Sequence, residues 1–173
     1  MKIYSKKYDF EDYTGGPSKI ICLAFIPRSA SNYLACKMRE TKRLGYPLEY
    51  FSADKNIAQV IKKRTSPNGV FSYKWNADFI VRLKSDFTIF LDRHDHEAQA
   101  RSFCIAEKTG DWLSLEKTDY QPPSVAIKSM VSRLSELRDR TLGMIDIDKE
   151  IYFEDLIAEP GKIISEVLKG IQL

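Results

Sequence analysis

The sequence predicts one α/β domain of three layers, with helices on both faces of a mainly parallel sheet. Three observations lead there. Residues 19–26 (KIICLAFI) and 87–91 (FTIFL) are continuous apolar runs of strand length, as expected of strands covered on both faces. Each runs into a short polar stretch and then into a helix-like segment. This alternation persists to the C-terminus, the pattern of crossover units that build parallel sheets.

Residues 1–18, rich in Tyr, Lys, Asp and Gly and ending in Gly15-Gly16-Pro17, read as a lead-in and turn. After the first strand, Pro27-Arg28-Ser29-Ala30-Ser31-Asn32 forms a polar loop. Residues 33–43, with Leu34, Ala35 and Met38 among charged neighbours, form the helix that follows. Gly45-Tyr46-Pro47 breaks that helix, and Glu49 follows between Leu48 and Tyr50-Phe51. Asp54 is placed to cap a helix whose apolar face is Ile57, Val60 and Ile61. Ser66-Pro67-Asn68-Gly69 is a turn, residues 70–75 a strand, and residues 76–83 a short helix.

The 87–91 strand ends in Asp92-Arg93-His94-Asp95-His96 and leads into a helix over 95–109, closed by Gly110. Residues 112–123 form a proline-punctuated connection. A helix over 125–142 has the stripe Met130, Val131, Leu134 and Leu137. A last strand lies within 145–153, and Pro160 opens a helix striped by Ile163, Ile164, Val167 and Leu168.

The chain has 173 residues, which suits one domain spanning 1–173. A net charge of +3 without blocks of like charge argues against a nucleic-acid partner. There is no signal-like start and no run of membrane-spanning length, so no membrane partner is expected. Cys22, Cys36 and Cys104 lack metal-type spacing and read as buried thiols of a reduced compartment, which predicts a cytoplasmic protein.

The loop at 27–32 is the candidate site. A strand, a tight polar loop and a helix start bring free N–H groups and the positive end of a helix dipole together, where phosphate or sulfate binds. The G-x-x-x-x-G-K-[ST] signature is absent, so Arg28 supplies the cation and Ser29, Ser31 and Asn32 the short donors. Taken alone, the loop reads more readily as a helix cap than as a ligand site.

Several motifs in order resemble the bacterial trehalose sulfotransferase (Stf0-type) family: Pro27 to Asn32, Tyr46 to Phe51, Gly69 to Asn76, Leu91 to Ser102 continuing to Trp112, and Tyr152 to Pro160. The likeness runs from about residue 19 to the C-terminus. It implies a P-loop-like sulfotransferase fold, shortened relative to the family. It also implies transfer of a sulfuryl group from 3′-phosphoadenosine 5′-phosphosulfate to a hydroxyl of a small, carbohydrate-like acceptor, leaving 3′-phosphoadenosine 5′-phosphate, with no metal.

By this resemblance, Arg28 with Ser29, Ala30, Ser31 and Asn32 holds the 5′-phosphosulfate, and Glu49 is the general base. Ser102, with either Arg93 or His94, holds the 3′-phosphate. The family has an arginine eight residues before that serine, where this chain has His94. Ala30 stands where the family loop usually has glycine, so a positive φ there would strain it. Asn32 replaces a usual threonine but still offers an amide donor.

Lys74 reads either as pointing at the transferred group or as reaching the surface. Ser102, inside a helix, is a ligand only through the resemblance. His94 and His96 with Asp92 and Asp95 make too thin a set for a metal. Trp75, Trp112 and Tyr120 read as core, with stacking on a ligand the alternative. Two further functions fit the same residues: a catalytically silent nucleotide-binding module, suggested by Ala30 and His94, and a small P-loop phosphotransferase. The latter lacks the Lys-Ser/Thr pair. The acceptor is expected to be set by the connections near 54–68 and 112–123. Homo-oligomerisation is compatible with the sequence.

Overall fold

The computed structural model describes residues 9–10, 15–52, 57–113 and 118–172. Most of the lead-in, the expected cap Asp54 and part of the 112–123 connection lie outside them. Four strands, β1 (Lys19–Phe25), β2 (Val70–Trp75), β3 (Phe87–Asp92) and β4 (Lys149–Tyr152), form an all-parallel sheet in the order β2-β1-β3-β4. Around it lie α1 (Ser31–Glu40), α2 (Ile57–Arg64), α3 (His96–Thr109), α4 (Ser124–Leu142), α5 (Phe153–Ala158) and α6 (Pro160–Gly170).

The alternation of side chains along β1 divides the core in two. Ile21, Leu23 and Phe25 pack with Leu34 and Met38 of α1, Leu156 of α5, and Ile163 and Val167 of α6. Cys22 and Ala24 pack with Phe103 of α3 and Met130, Leu134 and Leu137 of α4. Both faces are covered, which is why β1 and β3 read as apolar runs and why β2 is buried along its whole length, Ser72 and Lys74 included. The expected three-layer α/β arrangement with a parallel sheet is therefore present. No helix among the described residues is long and apolar enough to cross a membrane.

Two local expectations, the 76–83 helix and a buried Cys36, need correction, and one short helix was not anticipated. Residues 76–83 are not helical. Asn76 Oδ1 accepts from Asp78 N at 2.9 Å, a side-chain turn that competes with helix, and the Tyr73 hydroxyl donates to Leu83 O at 2.6 Å, holding the segment along the sheet. The last strand, expected within 145–153, covers Lys149–Tyr152, and just before it Asp148 brackets Thr88, accepting from Thr88 N and donating to Thr88 O. The short helix α5 occupies part of the expected strand end and the chain after it. Cys36 is exposed, while Cys22 and Cys104 are buried.

Gly45 makes the turn between α1 and the segment leading to Glu49. Its φ is +71°, and a Cβ there would lie 2.9 Å from the backbone nitrogen of Ser72 and 3.1 Å from Val70 O. Gly45→Ala is expected to cost about 2–4 kcal/mol, combining left-handed strain with overpacking. Urea denaturation measures this, and a loss below about 1 kcal/mol would mean that the turn relaxes freely.

Candidate functional site

The site grows from the strand order. The helix after β1 packs on one face of the sheet and the helix after β3 on the other. Between the carboxyl ends of these neighbouring strands the chain therefore parts, leaving the crevice where open α/β sheets bind ligands. A cavity of about 610 Å³ lies there, within the usual range of ligand sites. It is bordered by Phe25, Pro27, Arg28, Ala30, Ser31, Asn32 and Tyr33 after β1, by Glu49, and by Arg93, Ser102 and Phe103 after β3.

The loop is strained in a defined way. Arg28 and Ala30 have φ of +67° and +65°, a region that disfavours any side chain, at a cost of order 1–3 kcal/mol each. The expectation that alanine at position 30 is strained if φ is positive thus meets its condition. Neighbours hold the loop. Pro27 O accepts from Gln99 Nε2 at 2.9 Å, and Ile26 N donates to Leu91 O at 3.1 Å. Gln99 is itself held by Arg138, whose guanidinium also grips Asp92 at the end of β3 through two hydrogen bonds.

The cap alternative fails on this geometry. The residue at the cap position of α1 is Ala30, and no side chain caps the helix start. Ser29 is fully buried, with its Oγ lacking a hydrogen-bond partner. The first turn of α1 therefore borders the cavity with its backbone N–H groups uncapped by a side chain.

Two guanidinium groups face this space. Arg28 Nε donates to Ser102 Oγ at 2.9 Å, and another of its nitrogens donates to Trp112 O at 2.6 Å. Burial pushes the Arg28 pKa down, the nearby Asp111 carboxylate opposes this, and the positive charge of Arg93 adds to the downward push. The two cations thus repel each other across the site. Arg93 stands 4.4 Å over the Phe153 ring and 3.6 Å from Glu154 Oε1, and its buried Nε makes no hydrogen bond.

His94 does not border the cavity. It is exposed and stacks on Tyr152 with ring centroids 3.7 Å apart. Between the two residues the sequence left open, Arg93 is the one at the site. Among the described residues no group of three or more His, Cys, Asp or Glu side chains could hold a metal.

Glu49 is positioned by its neighbours. Leu48 O accepts from Lys74 N at 2.9 Å, and the Tyr50 hydroxyl donates to Tyr46 O at 2.6 Å, so buried residues flank Glu49 on each side. Its carboxylate is half-exposed and lies 3.9 Å from the ammonium of Lys74, a setting more polar than its apolar sequence neighbours suggest. Lys74 is 1% exposed and donates to Asn32 Oδ1. Burial pushes its pKa down to about 8, against the upward pull of Glu49 and then of Cys36.

The structure thus gathers Arg28, Ala30, Ser31, Asn32, Glu49, Arg93 and Ser102 around one cavity, with Ser29 buried behind the loop and His94 outside it. Trp75 is core, as read, and Tyr120 does not border the cavity. Trp112 is half-exposed, borders the cavity and packs edge-on against Phe103 at 5.2 Å, which corrects its core reading. Asn76 and Asp78, which border the cavity, were not candidates by sequence, whereas Lys74 was left open there and is buried rather than at the surface. A lysine in an otherwise apolar strand was the one available signal. No protein-family model matches the chain, and no curated protein matches it.

Proposed function

We propose that the chain is a sulfotransferase of P-loop-like fold, taking a sulfuryl group from 3′-phosphoadenosine 5′-phosphosulfate to a hydroxyl of a small, carbohydrate-like acceptor. The observation that carries this reading is the cavity wall. An uncapped helix start, two guanidinium groups and the Glu49 carboxylate border the same space. Anion binding needs the first two features, and proton removal from an acceptor needs the third.

The residues present fit such a donor, which when bound supplies the sulfuryl group and leaves as the bisphosphate. Arg28 and the α1 N–H groups face the phosphate from which the sulfuryl group parts, and stabilise the charge that develops on it. Arg93 and Ser102 lie on the β3 side, where a second phosphate is held. Glu49 takes the proton of the acceptor hydroxyl as its oxygen bonds to sulfur and the bond from sulfur to the phosphate oxygen breaks. The direct Arg28–Ser102 hydrogen bond, which joins residues assigned to the two phosphates, supports this reading. It also supports the alternative, a silent module that binds the nucleotide without turnover.

Calorimetry with 3′-phosphoadenosine 5′-phosphate against ATP tests the binding half. The bisphosphate is expected to bind more tightly, and Arg28→Ala to weaken it by about 10- to 100-fold, the worth of a charge-assisted contact. Tighter ATP binding would favour a phosphotransferase instead. Sulfate transfer to a panel of sugars and phenols tests the chemistry. Glu49→Gln is expected to lower turnover by about 100-fold or more, while full activity in that variant would remove Glu49 from its role. Binding without transfer to any acceptor would favour the silent module.

A further inference from the structure

Lys74 carries a buried charge that the fold does not satisfy. It is 1% exposed, yet among the described residues its ammonium has one hydrogen-bond acceptor, the side-chain oxygen of Asn32. An ammonium has three donors. Glu49 Oε1 stands at 3.9 Å, too long for a hydrogen bond, and the Phe25 ring at 5.5 Å. A lysine recruited to hold the fold together would be expected to meet a close carboxylate or a full set of carbonyls.

The one bond it makes has a geometric consequence. Lysine can only donate, so the Asn32 atom facing it must be the carbonyl oxygen. The amide nitrogen of Asn32 is then turned the other way, and Asn32 borders the cavity at the uncapped start of α1. Ser29 Oγ, a buried polar atom without a hydrogen-bond partner, lies in the same loop.

We propose that Lys74 is a positioning residue of the anion corner: it holds Asn32 with its amide N–H groups toward the bound anion and supplies the buried positive charge that the anion completes. This rests on the sulfotransferase reading only for the identity of the anion. The groups facing the ammonium are Asn32 and Cys36 on α1, Glu49 on the 45–49 segment and Phe25 on β1. An anion at the α1 start adds the negative charge they supply only in part. With burial setting the free Lys74 pKa at about 8, an anion raises it, and binding above that pH draws in a proton.

The test is calorimetry of the full chain at pH 7 and pH 9, in buffers of different ionisation heat. The ligands are sulfate, whose charge is constant over this range, and 3′-phosphoadenosine 5′-phosphate. Wild type is expected to take up a fraction of a proton per sulfate at pH 9 and to bind several-fold more weakly there than at pH 7. Lys74→Met is expected to bind about 10- to 100-fold more weakly at pH 7 with no uptake. Lys74→Arg, which stays charged, should bind without uptake, and Asn32→Ala should weaken binding yet keep it.

Absence of proton uptake by wild type would overturn the proposal without recourse to any variant. So would Lys74→Met binding as tightly as wild type. Lys74-dependent sulfate binding combined with bisphosphate binding no tighter than ATP would uphold Lys74 and overturn the sulfotransferase reading. Failure of both anions to bind would overturn both.

Discussion

Asp92→Ala is expected to destabilise the protein by about 3–5 kcal/mol, the cost of leaving a buried charge without its partner. Asp92 ends β3 at 3% exposure, and the guanidinium of Arg138 reaches it from α4 through two hydrogen bonds, one of 3.0 Å. The Arg138 side chain is only 13% exposed, so water cannot replace the lost carboxylate well. The same guanidinium touches Gln99 Oε1 at 3.4 Å, and Gln99 in turn holds the Pro27 carbonyl. Loss of Asp92 is thus expected to loosen the 27–30 loop and weaken anion binding as well.

Asp78–Arg140 provides the contrast. It is equally a carboxylate–guanidinium pair, at 2.7 Å, but both partners are more than half exposed. Asp78→Ala should therefore cost no more than about 1 kcal/mol. Urea denaturation of the two variants checks both values. Equal losses would mean that burial does not set the strength of these pairs.

Lys74→Met is expected to stabilise the protein at pH 7 while weakening the proposed anion site. The ordinary lysine pKa is 10.5, and burial lowers that of Lys74 to about 8. Between those values the unfolded chain binds more protons than the folded one, so stability rises with pH across this window. Below about pH 8 the folded state bears the full cost of the buried charge. A shift of this size corresponds to about 3 kcal/mol.

The gain from Lys74→Met should therefore be complete at pH 7 and shrink toward zero as pH approaches 10.5. Thermal or urea unfolding of wild type and variant from pH 7 to 10.5 measures it. A variant less stable than wild type at pH 7 would show that Asn32 and Glu49 more than offset the desolvation of Lys74. Stability gained where binding is lost is the usual exchange at sites kept polar for a ligand.

Much of the frame was legible one residue at a time. The runs 19–26 and 87–91 could bury all their side chains only inside a covered sheet, and they do so in β1 and β3. The helix after β3 announced both ends, and Asp95 caps its start at Ala98 N while Gly110 closes it with φ of +74°. Residues 76–83 misled because a side-chain turn at Asn76 and two side-chain bonds from β2, Tyr73 to Leu83 O and Trp75 to Phe79 O, outweigh a weak helical pattern. The helix α5 was missed because six residues make too short a stripe to detect.

The site divides along the same line. By itself the sequence determined the strands, the polar loop at Arg28 to Asn32 and the helix behind it, since apolar periodicity and turn chemistry act over a few neighbouring residues. Only the tertiary structure decided that Arg93 and not His94 meets the cavity. Side chains of successive residues leaving a strand point opposite ways, and packing against Phe153 and Tyr152 selects between them. It also decided the state of Lys74. Burial of its ammonium depends on α1 and the Glu49 segment closing over β2, and those contacts join residues far apart in the chain.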